Sequence, residues 1–385
     1  MTLKLSQSSV NSWRLSKNHL DKRASRSEIA RVVSDLCGVQ AQVLSGAALS
    51  IWARVNNITI HDVEDALWKH RTLVKTWGMR GTLHLLSSTD LPIYIAALKT
   101  RLEHFREEIP YRIGPVNGDK QYHITHDEQE QVTRAIRNAL DSRTLTREEL
   151  AHEISKRVKL RPIIQSHLLS GFGSLLHPAA LQGNLIFGPS QGPKVTFTRP
   201  DQWLGKWDEP ASDQALKTLV RRFYTTYGPA TYQDFGHWWG VPPPAAQKLV
   251  APITDQLEPV EFNGHRSMMR KSDIDQIQTI DETHSIRLVP SWDTYVMFYH
   301  PRELFVSEAN RTRIFNPLRG NLPALLIDGV AAGTWEKRAK KKQAEIIVRP
   351  FKPLSSIQKR SVAEEASSLG DFLGTNAQVS FSTWR

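Results

Sequence analysis

Two glutamines separated by one residue, Gln40 and Gln42, are the side chains whose spacing first suggests chemistry. An amide accepts and donates hydrogen bonds but is a poor base, so the pair suits orienting a bound group more than removing a proton. A rigid joint between packed helices can hold two such amides in one cleft. The competing interpretation is that the glutamines cap helix ends.

The elements on either side of the glutamines are predicted to be helices. Ser25 and Glu28 form a capping box that opens the first one. Gly38 stands where a C-cap glycine belongs. Two apolar faces at helical spacing follow from the sequence: Ile29, Val32, Val33 and Leu36 upstream, and Ala47, Ala48, Ile51, Trp52 and Val55 downstream. The glutamines therefore lie in the joint between two packed helices.

The charge balance favours a polyanionic partner, although a solvated surface can also carry it. The formal net charge is +11 and the pI is about 9.7. Residues 311–360 hold twelve Lys or Arg against three Asp or Glu, a net +9 in that window. With no long apolar run, no signal core and the single cysteine Cys37, we expect a soluble cytoplasmic protein in which Cys37 is a packed residue.

Helix and hairpin signals repeat three times, which predicts three modules of one architecture. In residues 1–118, a third helix opened by Thr59 and Asp62 is followed by the β-segments 73–77 and 82–86. Residues 123–205 carry capped helices at Thr125 and Thr146, a recognition-type helix over 168–181 and a wing formed by 185–188 and 195–197. Residues 111–122 read as a linker or loop.

The third module and a β-rich domain complete the predicted chain. Residues 212–278 carry helices, one capped by Thr231 and Asp234, and an Asn263–Gly264 hairpin signal. Residues 280–385 form a basic β-rich domain with strands predicted over 286–289, 295–299, 324–327, 344–348 and 378–382, and a helix over 357–373. The fold class is α+β: three tandem winged-helix modules and a β-rich C-terminal domain that together form a DNA-clasping clamp.

Motifs of several common enzyme classes are absent. No P-loop or dinucleotide glycine pattern is present. Residues 188–192 spell Gly-x-Ser-x-Gly, but they lie in the loop of the predicted wing and not between a strand and a helix, as a nucleophile elbow requires. His123 and His126 lie three apart in a polar stretch without a third ligand, which favours structural or surface roles over metal binding. From the residues alone, a DNA-binding protein built of helix-turn-helix modules is the safest inference, and a transcription regulator fits it. Three modules with a basic domain suit a clamp around one duplex better.

Several motifs resemble the winged-helix DNA glycosylase family of AlkZ (azinomycin resistance) and its YcaQ-type relatives. After Gln40, Ala41 and Gln42, the matching stretches are 76–85 (TWGMRGTLHL), 227–231 (YGPAT), 288–293 (LVPSWD), 325–329 (LLIDG) and 333–335 (GTW). Their order spans nearly the whole chain. YcaQ-type relatives carry an aspartate at the second position of the first motif, where this chain has Gln42, which places it nearer AlkZ.

The resemblance implies hydrolysis of the N-glycosidic bond of N7- or N3-alkylated purines. A general alkyl-purine repair enzyme and a dedicated enzyme that unhooks interstrand crosslinks both fit it. Gln40 and Gln42 are then catalytic and position the attacking water. The implied enzyme is monofunctional and needs no metal and no other cofactor, and no catalytic lysine for a lyase step is evident. We expect it to act as a monomer on double-stranded DNA that carries alkylated purines, without a membrane partner. A regulator without catalysis remains the alternative, and a non-catalytic DNA-structure binder is a third.

Basic residues in three regions are the predicted DNA contacts. Arg80 and His84 lie on the block after the first module, beside the active-site cleft of the family, where Trp77 reads as core. The family also inserts a C-terminal hairpin into the minor groove, and residues 299–313 are the candidate for it. Together with the densest basic run, the predicted contacts are Arg80, His84, His300, Arg302, Arg311, Arg313, Lys337, Arg338, Lys340, Lys341 and Lys342.

Overall fold

The computed structural model describes residues 2–108, 111–113, 122–159, 162–169, 175–340 and 343–384. The fold is a mixture of helices and sheets, as the α+β prediction requires. Within the part of the chain that the structure describes, no helix is long and apolar enough to cross a membrane.

The regular elements alternate along the chain. The α-helices are α1 (Gln7–Lys17), α2 (Ile29–Asp35), α3 (Leu44–Trp52), α4 (Ile60–Trp68), α5 (Leu91–Glu108), α6 (His126–Ala139), α7 (Arg147–Arg157), α8 (Pro162–Leu169), α9 (His177–Leu181), α10 (Pro200–Trp203), α11 (Ser212–Tyr227), α12 (Tyr232–Trp239), α13 (Pro243–Val250), α14 (Ile274–Gln278), α15 (Thr294–Phe298), α16 (Arg311–Ile314) and α17 (Ser356–Leu373). The strands are β1 (Leu3–Leu5), β2 (Val39–Gln40), β3 (Leu73–Trp77), β4 (Leu83–Ser87), β5 (Tyr111–Ile113), β6 (Tyr122–Ile124), β7 (Leu145–Thr146), β8 (Ile186–Gln191), β9 (Lys194–Thr198), β10 (Leu257–Phe262), β11 (His265–Arg270), β12 (Ile286–Val289), β13 (Phe315–Asn316), β14 (Gly320–Asn321), β15 (Ala324–Ile327), β16 (Val330–Lys340), β17 (Gln343–Pro350) and β18 (Asn376–Phe381).

These elements form two compact units. The larger unit combines residues 1–66 with 220–385, and the smaller unit comprises residues 67–219. The four domains predicted from the sequence are smaller segments, and their division of the chain remains a prediction.

The first sheet of the larger unit joins the beginning of the chain to the third hairpin. Strands β10 and β11 are antiparallel and meet at Asn263 and Gly264, whose φ angles of 46° and 78° belong to a tight turn. This confirms the Asn-Gly hairpin prediction. Strand β1 adds to β10 in parallel, with Leu3 opposite Val260. Trp13 and Phe262 lie in the core behind this sheet.

The second sheet of the larger unit has the order β12-β15-β16-β17-β18, and α17 packs against it. Its strands are antiparallel except for the parallel pair β17–β18. The predicted strands at 286–289 and 324–327 have the predicted bounds. The strand predicted at 295–299 is wrong, because Asp293 caps a helix there by accepting a hydrogen bond from the Tyr295 amide. A short, fully buried apolar run fits either structure, so periodicity could not decide between them.

The hairpin expected over residues 299–313 is also absent. This segment forms the 3₁₀ turns Arg302–Leu304 and Glu308–Asn310 and then α16. Its polar residues pair at helical spacing, as Arg311 does with Glu308 over 3.3 Å, and they do not alternate with apolar ones as a strand requires. The long hairpin in this part of the chain is β16–β17, in which Trp335 lies opposite Val348.

The smaller unit contains two hairpins and a helical cluster. Strands β3 and β4 pair with Leu73 opposite Ser87. Helices α6, α7, α8 and α9 are followed by β8 and β9, and β7 completes a sheet with the order β7-β9-β8. Trp77 packs on Phe187 and Phe197 in the core, as predicted for it.

Two other predictions for this unit were only partly right. The predicted linker contains the paired strands β5 and β6, while residues 114–121 lie outside the described part of the chain. The predicted helix 168–181 is represented by the end of α8 and by α9, and residues 170–174 are not described.

Capping boxes begin several of these helices, as predicted. Each pairs a hydroxyl with a carboxylate three residues later, which satisfies free amides of the first turn. The predicted pairs are Ser25–Glu28, Thr125–Glu128, Thr146–Glu149 and Thr231–Asp234.

Candidate active site

The two glutamines lie on the short segment between α2 and α3. Cys37 and Gly38 have φ angles of 55° and 90°, and this left-handed turn redirects the chain after α2. The neighbouring Val39 and Ala41 are buried, whereas Gln40 is half-buried and Gln42 is exposed. This alternation anchors the apolar residues inside and places both glutamines on the outer side.

The joint is held from behind by the end of α11. The Thr226 hydroxyl donates to the carbonyl of Asp35 over 2.6 Å, and the Tyr227 hydroxyl donates to the carbonyl of Leu36 over 2.7 Å. Burial raises the pKa of Tyr227, so its hydroxyl remains a donor. Tyr227 is the first residue of the YGPAT motif, which therefore supports the turn that leads to the glutamines.

Both glutamines line a cavity of about 400 Å³. This volume is within the range of small-ligand sites. Its other walls come from the beginning of α3 and from two segments about 250 and 290 residues further along the chain. Prominent among the wall residues are Val43, Pro290, Trp292, Trp335, Glu336 and Lys337. The structure thus brings the Gln-x-Gln, LVPSWD and GTW motifs to one site.

The LVPSWD segment is fixed at both ends. At one end, the Trp335 indole nitrogen donates to the carbonyl of Val289 over 2.8 Å. At the other, Asp293 and Arg54 form an ion pair with two bonds of 2.7 Å, and both side chains are fully buried. The Ser50 hydroxyl donates to the same carboxylate over 2.9 Å. Because Ser50 and Arg54 belong to α3 and its C-terminal end, the loop is fastened to the helix that follows the glutamines.

A carboxylate and two arginines lie on the hairpin side of the cavity. Glu336 accepts from Arg349 over 2.9 Å and pairs with Arg338 over 2.7 Å. The Arg349 hydrogen bond is the main reason that the pKa of Glu336 is lowered, so Glu336 stays negatively charged at neutral pH. The ionised carboxylate of Glu336 is therefore balanced by the two arginines beside it.

Some of the predicted DNA contacts lie on β16. Lys337 lines the cavity and is exposed, and Arg338 is exposed next to it. Lys340 ends the strand, while Lys341 and Lys342 lie outside the described residues. An exposed cationic strand at the rim of a cavity is suited to contacts with phosphates.

The remaining predicted contacts of the larger unit lie in the segment before β13. The Arg302 guanidinium stacks over Phe315 at 4.3 Å, and that of Arg313 lies over Trp384 at 4.7 Å. Arg311 pairs with Glu308. His300 is half-buried, and burial lowers its pKa to about 4, so its ring is neutral at pH 7.

Arg80 and His84 belong to the smaller unit. Arg80 is half-buried, with a φ of 58° in the 3₁₀ turn between β3 and β4. His84 is only 2 % exposed, and its Nδ1 lies 3.0 Å from the carbonyl oxygen of Thr82. Burial, aided by the charge of Arg80, lowers the pKa of His84 to about 3. Its ring thus faces the protein interior as a neutral group.

Several residues of the site were missed by reasoning from the sequence. Trp292, Glu336 and Arg54 are not among the predicted site residues, although the motif 288–293 contains Trp292. Arg54 and Asp293 each stand beside an apolar run, which is a sequence signal for a buried charge. The sequence does not indicate that the two pair with each other, because 239 positions separate them.

Comparison with known proteins identifies the family of this chain. The family model for "DNA glycosylase AlkZ-like" matches residues 33–372. The chain belongs to the AlkZ-like DNA glycosylase family. It is therefore a DNA glycosylase, and the transcription-regulator alternative is wrong.

Two relatives of this AlkZ-like glycosylase extend the comparison. An "Interstrand DNA cross-link repair glycosylase" of Streptomyces sahachiroi is 27 % identical over 380 residues, which cover 97 % of this chain and 98 % of the relative. The solved structure of "Streptomyces sahachiroi DNA glycosylase AlkZ" superimposes with a TM-score of 0.83 at 26 % identity. That match covers 99 % of this chain and all of the other.

Proposed function

We propose that this glycosylase hydrolyses the bond between deoxyribose and an N7- or N3-alkylated purine in duplex DNA. Alkylation makes the purine cationic, so it leaves with the electron pair of the glycosidic bond while positive charge builds on the sugar. Water adds to the sugar carbon C1′ and gives up a proton to the surrounding solvent. Little acid catalysis is needed for such a leaving group, which makes placement of the water the main task.

The observation that carries the proposal is that Gln40 and Gln42 line one cavity. Two amide oxygens on a rigid joint can accept the hydrogen bonds of one water and fix its direction of approach.

The larger architecture supports DNA binding. We infer that 1–118, 123–205 and 212–278 are winged-helix modules and that 280–385 is the basic β-rich domain of a clamp around the duplex. The order of α6, β7, α7 to α9 and the β8–β9 hairpin supports the second module, and α11 to α13 before β10–β11 supports the third. Hydroxyl-radical footprinting on a duplex with one lesion tests the clamp, which predicts protection on both faces of the helix.

The substrate class includes crosslinks in the proposal, because the relative from Streptomyces sahachiroi is named for interstrand crosslink repair. A crosslink through two N7 atoms has the same cationic leaving group at each end. We propose that the protein acts as a monomer without lyase activity. Light scattering tests the oligomeric state, and a borohydride-stable DNA adduct would contradict the absence of a lyase step.

Release of free 7-methylguanine from methylated duplex DNA tests the function and its site. Wild type should release the base, and Gln40→Ala and Gln42→Ala should each lower kcat about 100-fold, as expected when a reacting group is misplaced. Gln278→Ala, on the exposed side of α14, serves as the matched control and should behave as wild type. Equal rates for all variants would move the catalytic site elsewhere. If the wild type neither releases the base from methylated DNA nor unhooks a crosslinked duplex, the proposed substrate class is wrong.

A further inference from the structure

Trp292 is an exposed tryptophan in a backbone conformation that bulky residues seldom adopt. Its φ is 62°, in the left-handed region that favours glycine and asparagine. Its side chain remains 42 % exposed and lines the cavity that contains Gln40 and Gln42. A residue with both properties contributes little to the core, so its conformation and its exposure both need another explanation.

The surroundings of Trp292 hold its ring in one place. The neighbouring Asp293 is locked by the buried pair with Arg54, and Val289 is bound by the Trp335 indole. The six-membered ring of Trp292 lies so close to Gly320 that a Cβ on that glycine would overlap it. Gly320 itself has a φ of 70° on the β13–β14 turn. The loop and the turn therefore present a preorganised aromatic surface to the cavity.

We propose that the Trp292 indole is the surface on which the alkylated purine stacks, and that it selects cationic purines over neutral ones. The inference rests on the proposed function of this cavity. The electron-rich face of an indole attracts a cation more strongly than the ring of phenylalanine or tyrosine does. An unmodified purine can stack there but lacks the positive charge. Trp292 would thus add recognition of charge to an active site whose amides are neutral.

The timing of the charge gives this role a kinetic signature. The purine is cationic in the bound substrate and neutral once it has left, while the positive charge moves to the sugar in the transition state. The attraction to Trp292 is therefore strongest before bond cleavage, while the stacking itself persists in the transition state. Loss of the indole should raise KM and should not lower kcat, because it weakens binding of the substrate at least as much as binding of the transition state. Loss of Gln40 or Gln42 should instead lower kcat.

Direct binding separates this proposal from the proposed function. The probes are 7,9-dimethylguaninium, which carries a fixed positive charge, and neutral 9-methylguanine, both titrated into the full chain by calorimetry. Wild type should bind the cation about tenfold more tightly, Trp292→Phe should keep part of this preference, and Trp292→Leu should abolish it. Trp203→Leu, a half-buried tryptophan of the smaller unit that stacks on Arg71, is the control and should keep it.

Each outcome of this titration decides the inference. Equal affinity of wild type for the two probes, no detectable binding of either, or a preference that survives in Trp292→Leu would overturn it, even if the wild type releases 7-methylguanine. A preference lost in Trp292→Leu but kept in Trp203→Leu would support it, even if methylated DNA proves not to be cleaved. Thermal unfolding of each variant establishes that it is folded.

Discussion

Arg54 and Asp293 form a doubly hydrogen-bonded ion pair with no exposure to solvent, between the end of α3 and the loop that carries Trp292. Two walls of the candidate active site are thereby joined through the protein interior. If either residue of a buried ion pair is removed, the charge of the other remains in the interior, where water does not hydrate it.

Removal of one partner of this pair should destabilise the protein strongly. Arg54→Met or Asp293→Ala leaves an uncompensated buried charge, and we expect a loss of about 3–5 kcal/mol in the free energy of unfolding. The double variant should lose less than the sum of the two. Urea denaturation measures all three. Arg31→Ala, which breaks a surface pair with Glu28, should cost much less than either of these changes. A loss as large as theirs would show that burial is not the cause.

Addition of a methyl group at Gly320 should disturb the active site as well as the turn. Gly320→Ala combines backbone strain at a φ of 70° with overlap of the Trp292 ring. Gly264→Ala is the matched control, since Gly264 has a φ of 78° and open space around its Cα. Both variants should lose about 1 kcal/mol from the left-handed backbone. Only Gly320→Ala should also raise KM for methylated DNA. Equal KM values for the two variants would argue that the position of the Trp292 indole does not affect substrate binding.

The buried His84 should make stability depend on pH. Its pKa is about 3 in the folded protein and about 6.5 when unfolded, so between these values the unfolded chain binds a proton that the folded chain does not. The contribution of this group to the free energy of unfolding is therefore fully present above about pH 6.5. It decreases as the pH falls, by about 2 kcal/mol at pH 5.

Comparison of His84→Gln with wild type by urea denaturation at pH 7 and pH 5 isolates the contribution of His84. The variant should lose less stability on acidification than wild type does. His61→Gln, which removes a histidine that is 84 % exposed, should follow wild type. If His84→Gln and wild type lose the same free energy of unfolding between pH 7 and pH 5, another group accounts for the acid sensitivity.

Lys337 and Arg338 should contribute to DNA affinity through phosphates. Lys337→Gln and Arg338→Gln should each weaken binding to lesion-free duplex and reduce the slope of log K against log salt by about one. Fluorescence anisotropy over a salt series measures the slope. Lys359→Gln, on α17 and away from the cavity lining, is the charge-matched control. An unchanged slope for the β16 variants would place the DNA elsewhere.

Local signals in the sequence were enough to predict much of the fold. The hairpin turn at Asn263 and Gly264, strand β3 and the capping box at Thr146 all follow from a few adjacent residues, and the structure has them. Residues 294–298 could not be assigned correctly because a buried apolar run is compatible with strand or helix. The capping role of Asp293, which decides for the helix, is a local signal that was overlooked.

The site itself was only partly predictable. Gln40 and Gln42 could be singled out because two polar residues alternate with buried ones in a short joint. Trp292 and Glu336 could not, since their position in the cavity depends on sheet register and on loop anchors hundreds of residues away. The spacing of residues along the chain does not show which distant residues come together until the topology is known.

The larger unit consists of residues 1–66 and 220–385, and this has a consequence for synthesis on the ribosome. The joint before the glutamines must wait for Tyr227, 191 positions after Leu36, and Arg54 must wait for Asp293, 239 positions further along the chain. Strand β1 must wait for β10, which is also more than 200 positions away. At about 5–20 residues per second, these delays are on the order of 10–50 s. During this interval the smaller unit, contiguous at 67–219, can fold, while the apolar faces of α2 and α3 remain uncovered. Nascent chains should therefore engage chaperones through the N-terminal segment first.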